Sequence, residues 1–237
     1  MIPIKSESTW KGTADCRVCD IRDLVLFSSL SEDDFDHIHA PVDRLEFPIG
    51  TRLFQEGGNA VGAFTLRSGR VKLVRSTADG RERIVRVLRP GDVLGLEALV
   101  HAKYDSDAVA LTEVAVCRLP LAVLHALQTT SPRLHQSLMH KWSTALKEAQ
   151  DWLVDLNFGT ARNRVSNLIL KMRDPNNPEL VTLFAREDMG AMTDLKMETV
   201  SREISALVRE GTLQPLDKQG RMYRIVHKKN LENASIA

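Results

Sequence analysis

Hydrophobic and polar positions change their period along this chain, and those changes divide it into segments. From Arg44 to Leu119 apolar residues alternate with charged ones in short runs, most clearly in Arg70-Val71-Lys72-Leu73. A period of two turns one side of a strand to a core and the other to water. Gly50, Gly57, Gly69, Gly80 and Gly91 recur at about ten-residue spacing, and Asp79-Gly80 sits between two apolar runs as a hairpin turn. The pattern predicts an antiparallel β-roll or barrel over residues 21–130, although any small β-sandwich would satisfy it.

Residues 131–157 read differently. The stretch has no internal proline or glycine, and Met139, Trp142, Leu146, Ala149, Leu153 and Leu156 step by 3, 4, 3, 4 and 3 residues. That spacing is a heptad seam, which wants a partner helix. Leu134, Leu138, Ala145 and Trp152 form a second stripe, expected to pack on the β-rich domain of the same chain. One intramolecular face and one dimer face follow, and the seam carries no charged residue that would oppose pairing.

After Asn157-Phe158-Gly159 a helix is predicted from Thr160 to Arg173, buried through Val165, Leu168, Ile169 and Met172 and stopped at Asp174-Pro175. A short helix over 186–192 follows. Thr193-Asp194-Leu195 separates it from a longer one over 197–210, which ends at Gly211. Two helices joined by so brief a turn are a helix-turn-helix signature. The tail adds two strands around Lys218-Gln219-Gly220, a wing. The fold class is therefore α+β: an N-terminal segment (1–20), a β-roll (21–130), a long dimerisation helix (131–157) and a C-terminal winged helix-turn-helix (158–237).

Composition narrows the class. The chain has 237 residues, 43% hydrophobic and 27% charged, as in ordinary globular proteins. The first fifteen residues lack the apolar core of a signal peptide, and no run reaches the ~18 apolar residues of a membrane helix, so a cytoplasmic location is expected. The net charge is +1, but residues 157–237 carry 13 Lys and Arg against 10 Asp and Glu. This is a slight lean toward a nucleic-acid partner. No nucleophile–base pair, phosphate loop or paired-histidine metal motif appears, so no enzymatic activity is expected.

β-roll, long helix and winged helix-turn-helix, in that order, resemble the Crp/Fnr family of bacterial transcription regulators over nearly the whole chain. Gly57 and Gly69, "GDVLG" at Gly91 to Gly95 and "ETVSR" at Glu198 to Arg202 carry the resemblance. It implies a homodimer that places its second helix in the DNA major groove, with RNA polymerase as a further partner. Glu198, Ser201 and Arg202 stand at i, i+3 and i+4 on one helix face, with Thr199 between them. The Glu-x-x-Ser-Arg pattern resembles the Fnr and FixK branches, which read palindromes of TTGA-type half-sites. The Crp branch has an arginine just before the glutamate, where this chain has Met197. Lys218 and Arg221, with Arg186, Arg224, Lys228 and Lys229, are expected at phosphates. The resemblance also shows two departures: Ser or Thr commonly caps both helices of the motif, whereas this chain has Ala185 and Lys196.

The signal is less defined. A Crp relative holds the phosphate of cyclic AMP with an arginine followed by Ser or Thr, but the matching stretch here offers Ser106 and Asp107. A carboxylate repels a phosphate, so cyclic AMP binding is not expected. Oxygen-sensing Fnr proteins hold an iron–sulfur cluster with N-terminal cysteines and one in the β-roll, which Cys16, Cys19 and Cys117 resemble. One expected cysteine is missing after Asp20, and an all-cysteine cluster takes four thiolates; Asp20, Asp23 or an external ligand would complete the set. Two other readings stand beside the cluster: a reversible Cys16–Cys19 thiol switch, and a buried core position for Cys117. Control by the protein's own abundance fits the FixK branch. The alternative to a redox-responsive regulator is a small-molecule-binding β-roll with an effector such as haem, although His37, His39, His101, His125, His135 and His140 show no spacing that marks an axial ligand.

Overall fold

The computed structural model describes residues 43–77, 80, 82–122, 124–125, 132–174 and 177–236. Cys16, Cys19, Asp20, Asp23, His37 and His39 lie outside them. Two compact units emerge, one of residues up to 75 with 86–147, the other of 76–85 with 148–237.

The first unit holds the expected β-roll, except for residues 76–85, which group with the second. The roll's eight strands are β1 (Asp43–Phe47), β2 (Arg52–Phe54), β3 (Gly62–Ser68), β4 (Val71–Ser76), β5 (Glu82–Leu88), β6 (Val93–Leu94), β7 (Asp107–Ala110) and β8 (Val114–Pro120). They form two four-stranded sheets in the orders β1-β8-β3-β6 and β2-β7-β4-β5. The alternation seen in the sequence fills the space between them: Leu45, Leu66 and Val116 from one sheet and Leu53, Val71, Leu88 and Ala108 from the other are buried in one cluster. Each large aliphatic side chain so buried contributes about 1.5–3 kcal/mol. Gly69 closes the β3–β4 turn at φ 85°, where a Cβ would lie 2.1 Å from the Glu113 carbonyl oxygen, so only glycine fits. Gly80 has φ 79° and donates its N–H to the Thr77 carbonyl, as a turn between β4 and β5 requires, while Asp79 lies outside the described residues.

The long helix α1 runs from Pro132 to Asn157. Of the second stripe Leu134 and Leu138 are buried, whereas Ala145 and Trp152 are only half-buried. Lys141 Nζ donates to the Gly91 carbonyl at 2.9 Å within the first unit.

The second unit contains α2 (Ala161–Lys171), β9 (Leu180–Thr182), α3 (Arg186–Thr193), α4 (Met197–Arg209), β10 (Leu213–Pro215), β11 (Met222–Ile225) and α5 (Lys228–Ile236). Thr160 and Asn163 form a reciprocal cap at the start of α2. The core comprises Val165, Leu168 and Ile169 of α2, Met189 and Met192 of α3, and Val200, Ile204 and Leu207 of α4, all buried. The wing strands pair antiparallel, Leu213 opposite Ile225, and β11 pairs on its other side with β9. Sequence reasoning missed both β9 and α5: β9 is only three residues long, and α5 is a short C-terminal helix separated from β11 by two residues. Among the described residues no helix is long and apolar enough to cross a membrane.

Candidate nucleic-acid interface

Burial on α4 is one-sided. Val200, Ile204 and Leu207 face the core, whereas Glu198, Arg202, Ser205 and Arg209 are exposed and Thr199 and Ser201 half-buried. The apolar row fixes the rotation of the helix about its axis, and its polar residues are thereby turned outward. Arg202 Nη2 lies 3.4 Å from the Thr199 hydroxyl, so the guanidinium is steered along the exposed face.

The link between α3 and α4 sets the angle of that face. Asp194 ends α3 in the left-handed region at φ 55° and ψ 43°, a conformation that Asp tolerates better than most residues. The Leu195 N–H then bonds the Gly190 carbonyl at 3.1 Å. Gly190 suits this crossing, because a Cβ there would sit 2.5 Å from the Leu195 carbonyl oxygen and force the corner to shift. Sequence reasoning passed over this glycine; its position five residues before the turn's last residue was the available signal. Arg164 of α2 donates from Nη1 to the Thr193 carbonyl at 3.2 Å and from Nε to the Gly159 carbonyl at 3.1 Å. Arg162 pairs with Glu203 at 3.7 Å and with Glu210, pinning α2 to α4. Ala185 and Lys196 are the N-cap residues of α3 and α4, and neither makes a side-chain cap bond.

Beside α4 the wing tip presents Lys218 and Arg221, both exposed. The Asp217 carboxylate accepts the backbone N–H groups of Arg221 at 2.9 Å and Met222 at 3.0 Å, which fixes the tip. The Arg221 N–H bond foremost, followed by that of Met222, holds the Asp217 carboxyl below its ordinary range. Two expected phosphate contacts have other work. Arg186 Nη2 donates to the Gly220 carbonyl and the Tyr223 hydroxyl, each at 3.0 Å, and thereby ties α3 to the wing. Lys228 pairs with Glu232 at 2.8 Å one turn along α5. Arg224 and Lys229 are exposed.

On α1 the expected seam splits. Met139, Leu146 and Leu153 are 42%, 62% and 58% exposed, an apolar stripe on the helix surface. Ala149 is exposed and Trp142 half-buried. Leu156 corrects the expectation: it is fully buried in its own chain, so it has no apolar surface left to offer a partner. Val154 and Phe158, outside the heptad pattern, are 59% and 65% exposed and widen the apolar surface.

In the β-roll, Cys117 is buried on β8, paired in register with Arg44 on β1 and Thr65 on β3. Arg67 Nη1 approaches its Sγ at 3.8 Å. Among the described residues no group of three or more His, Cys, Asp or Glu side chains is placed to hold a metal ion, and Cys16 and Cys19 lie outside those residues. At the stretch where a cyclic nucleotide's phosphate would be held, Ser106 is buried. The Asp107 carboxylate accepts the Glu56 N–H at 2.6 Å and pairs with Arg52 at 3.0 Å. Next to them Tyr104 stacks on Phe54 with ring centroids 4.0 Å apart and donates its hydroxyl proton to the Gly62 carbonyl at 2.8 Å.

Comparison with known proteins agrees with this architecture. The family model for the cyclic nucleotide-binding domain matches residues 44–131, and that for the Crp-like helix-turn-helix domain matches 163–234. Among curated relatives, the anaerobic regulatory protein of Pasteurella multocida is 28% identical over 206 residues, covering 84% of this chain and 75% of its own length. The fumarate and nitrate reduction regulatory protein of Escherichia coli is 29% identical over 206 residues, covering 84% of this chain and 82% of its own length. The structure of FixK2 from Bradyrhizobium japonicum superposes with a TM-score of 0.75 at 24% identity, over 84% of this chain and 99% of that one. With a roll of this topology, a long helix and a winged reading motif in the family's order, the chain belongs to the Crp/Fnr family of transcription regulators.

Proposed function

We propose that the protein is a homodimeric, sequence-specific regulator whose paired α4 helices read a palindrome of TTGA-type half-sites. The exposed face of α4 carries this reading: Glu198, Ser201 and Arg202 project near the helix N-terminus from a row anchored by Val200, Ile204 and Leu207. An arginine so placed forks onto guanine O6 and N7, a glutamate accepts from the cytosine amino group, and a serine serves either partner. Lys218 and Arg221 on the wing add phosphate contacts that position without specifying.

The exposed stripe of α1 supports the dimer. Pairing through Met139, Trp142, Leu146, Ala149 and Leu153 would set two reading helices about one turn of DNA apart, the geometry a palindrome requires. RNA polymerase is the protein partner such a regulator would engage, in the cytoplasm. The names of the curated relatives, with Cys117 beside the Arg67 guanidinium, support a response to oxygen or redox state, with control by abundance as the form it takes if the protein carries no chromophore.

The decisive test is titration of labelled duplexes with purified protein. Wild type should prefer a TTGA-type inverted repeat to a scrambled duplex, and Arg202→Ala should lose about 1–3 kcal/mol of discrimination at the half-site guanine. Equal affinity of wild type for both duplexes, or equal loss on both in the variant, would remove the sequence-reading role. Protein purified without oxygen tests the signal: visible absorption bleached by air supports a cluster, and colourless protein that still binds the repeat supports control by abundance.

A further inference from the structure

The end of the β4–β5 hairpin, residues 76–85, belongs to the same compact unit as residues 148–237. Arg83, on β5, spends its guanidinium there. Nη1 pairs with the Asp194 carboxylate, and Nη2 donates to Asn157 Oδ1 at the end of α1. Asp194 is the one non-glycine residue with positive φ among the described residues, and it forms the corner between α3 and α4. Arg164 already holds the preceding Thr193 carbonyl. The corner is thus gripped by two arginines, one from α2 and one from the hairpin.

We infer that Arg83 is a positioning residue for DNA reading: by bridging Asp194 and Asn157 it fixes the α3–α4 corner, and through it the aim of the Glu198 to Arg202 face. The inference rests on the reading of α4 proposed above. A planar fork is needed, since a guanidinium reaches two acceptors in fixed directions, whereas an ammonium offers a single point charge. The Arg83 side chain is 29% exposed and that of Asp194 62%, so the pair adds little to global stability. Its effect falls on the orientation of α4, where small misplacements weaken base contacts and leave phosphate contacts intact.

The test uses the full-length protein and two duplexes, a TTGA-type inverted repeat and its scrambled counterpart, titrated at several salt concentrations. Arg83→Ala and Asp194→Asn should each lower affinity for the repeat about three- to tenfold, leaving affinity for scrambled DNA and the salt slope unchanged. Asn keeps the left-handed corner accessible, so the second variant removes the charge alone. The double variant should bind no more weakly than either single one, and Arg83→Lys should restore only part of the affinity. Additive losses in the double variant would overturn the inference. A smaller salt slope with equal loss on both duplexes would make Arg83 a phosphate ligand instead, and overturn it too. Arg202→Ala run alongside separates the two levels: if it loses discrimination while Arg83→Ala changes nothing, the positioning role alone fails; if it loses none, the reading of α4 falls and the inference with it.

Discussion

Gly190→Ala isolates what the helix crossing demands. In an ordinary helix interior the change would be favourable by up to ~1 kcal/mol, because glycine gives up more backbone freedom than alanine on folding. Here the new Cβ would lie 2.5 Å from the Leu195 carbonyl oxygen and 3.7 Å from Met197 N. Contact with the carbonyl is short of an ordinary van der Waals approach by about 0.9 Å, and the obstacle is backbone, so no side-chain rotation relieves it. Overpacking of this kind costs about 1–3 kcal/mol. Moving the corner to make room also stretches the 3.1 Å bond from Leu195 N to the Gly190 carbonyl, a loss of ~1 kcal/mol if it breaks. The net is about 1–3 kcal/mol of destabilisation, or roughly 5–15 °C in Tm for a unit of this size. Gly211→Ala is the contrast, since Gly211 has φ 73° but open space at its Cβ, so it meets backbone strain of ~1–2 kcal/mol without a clash. Differential scanning calorimetry and duplex titration read both. Both variants should melt lower, but Gly190→Ala should lose preference for the inverted repeat whereas Gly211→Ala should keep it. A Gly190→Ala variant as stable as wild type, with undiminished preference, would refute the account of the corner.

Three further outcomes are expected. Leu146→Glu, at a position 62% exposed in the single chain, should leave the fold's circular dichroism unchanged yet halve the sedimenting mass and abolish tight binding to the inverted repeat. Lys218→Ala on the exposed wing tip should weaken binding to specific and scrambled duplexes alike and reduce the salt slope by about one charge per half-site, read from titrations at several salt concentrations. Burial is the largest influence on Glu97 and lifts its carboxyl above 4.5, against the opposing backbone N–H bonds of Glu97 and Asp105. The folded state therefore binds that proton more tightly, and stability falls as pH rises above 4.5. Glu97→Gln, whose amide oxygen can still accept the Asp105 N–H, should raise Tm at about pH 7 and not at about pH 4 in melting curves.

Periodic burial was legible and local geometry was not. The alternation in Arg70 to Leu73 held at Val71, which is buried, and less well at Leu73, which is half-buried, whereas Leu134 and Leu138 and the row of Val200, Ile204 and Leu207 all turned out buried. The exposed polar face of α4 followed, because fixing three apolar positions on a helix fixes where the polar ones point. Heptad spacing misled at Leu156, since a seam describes only which residues share a face and not how far along the helix a neighbouring element already covers it. Arg186 shows the same gap between charge and role: its guanidinium satisfies Gly220 and Tyr223, atoms 34 and 37 residues away that no local pattern connects to it. Arg83 is a stronger case, reaching a helix corner more than a hundred residues downstream.

The helix-turn-helix lacks side-chain N-caps on both helices, and distant contacts gather around it. Ala185 and Lys196 leave the first N–H groups of α3 and α4 without side-chain acceptors, each at a cost of ~1 kcal/mol relative to Ser or Thr. Glu187 and Asp188 in the first turn of α3, and Glu198 in that of α4, recover part of this through the helix dipole. Glu198 is also a proposed base contact, so the charge that steadies α4 in the free protein is the one that turns to a cytosine amino group on DNA. What remains must come from tertiary grip: the close crossing at Gly190, Arg164 on the Thr193 carbonyl, Arg162 on Glu203 and Glu210, and Arg186 on the wing. A motif held by its surroundings more than by its own caps is sensitive to changes in those surroundings, so substitutions at Gly190, Arg164, Arg162 or Arg186 should disturb α4 more than their distance from its exposed face suggests.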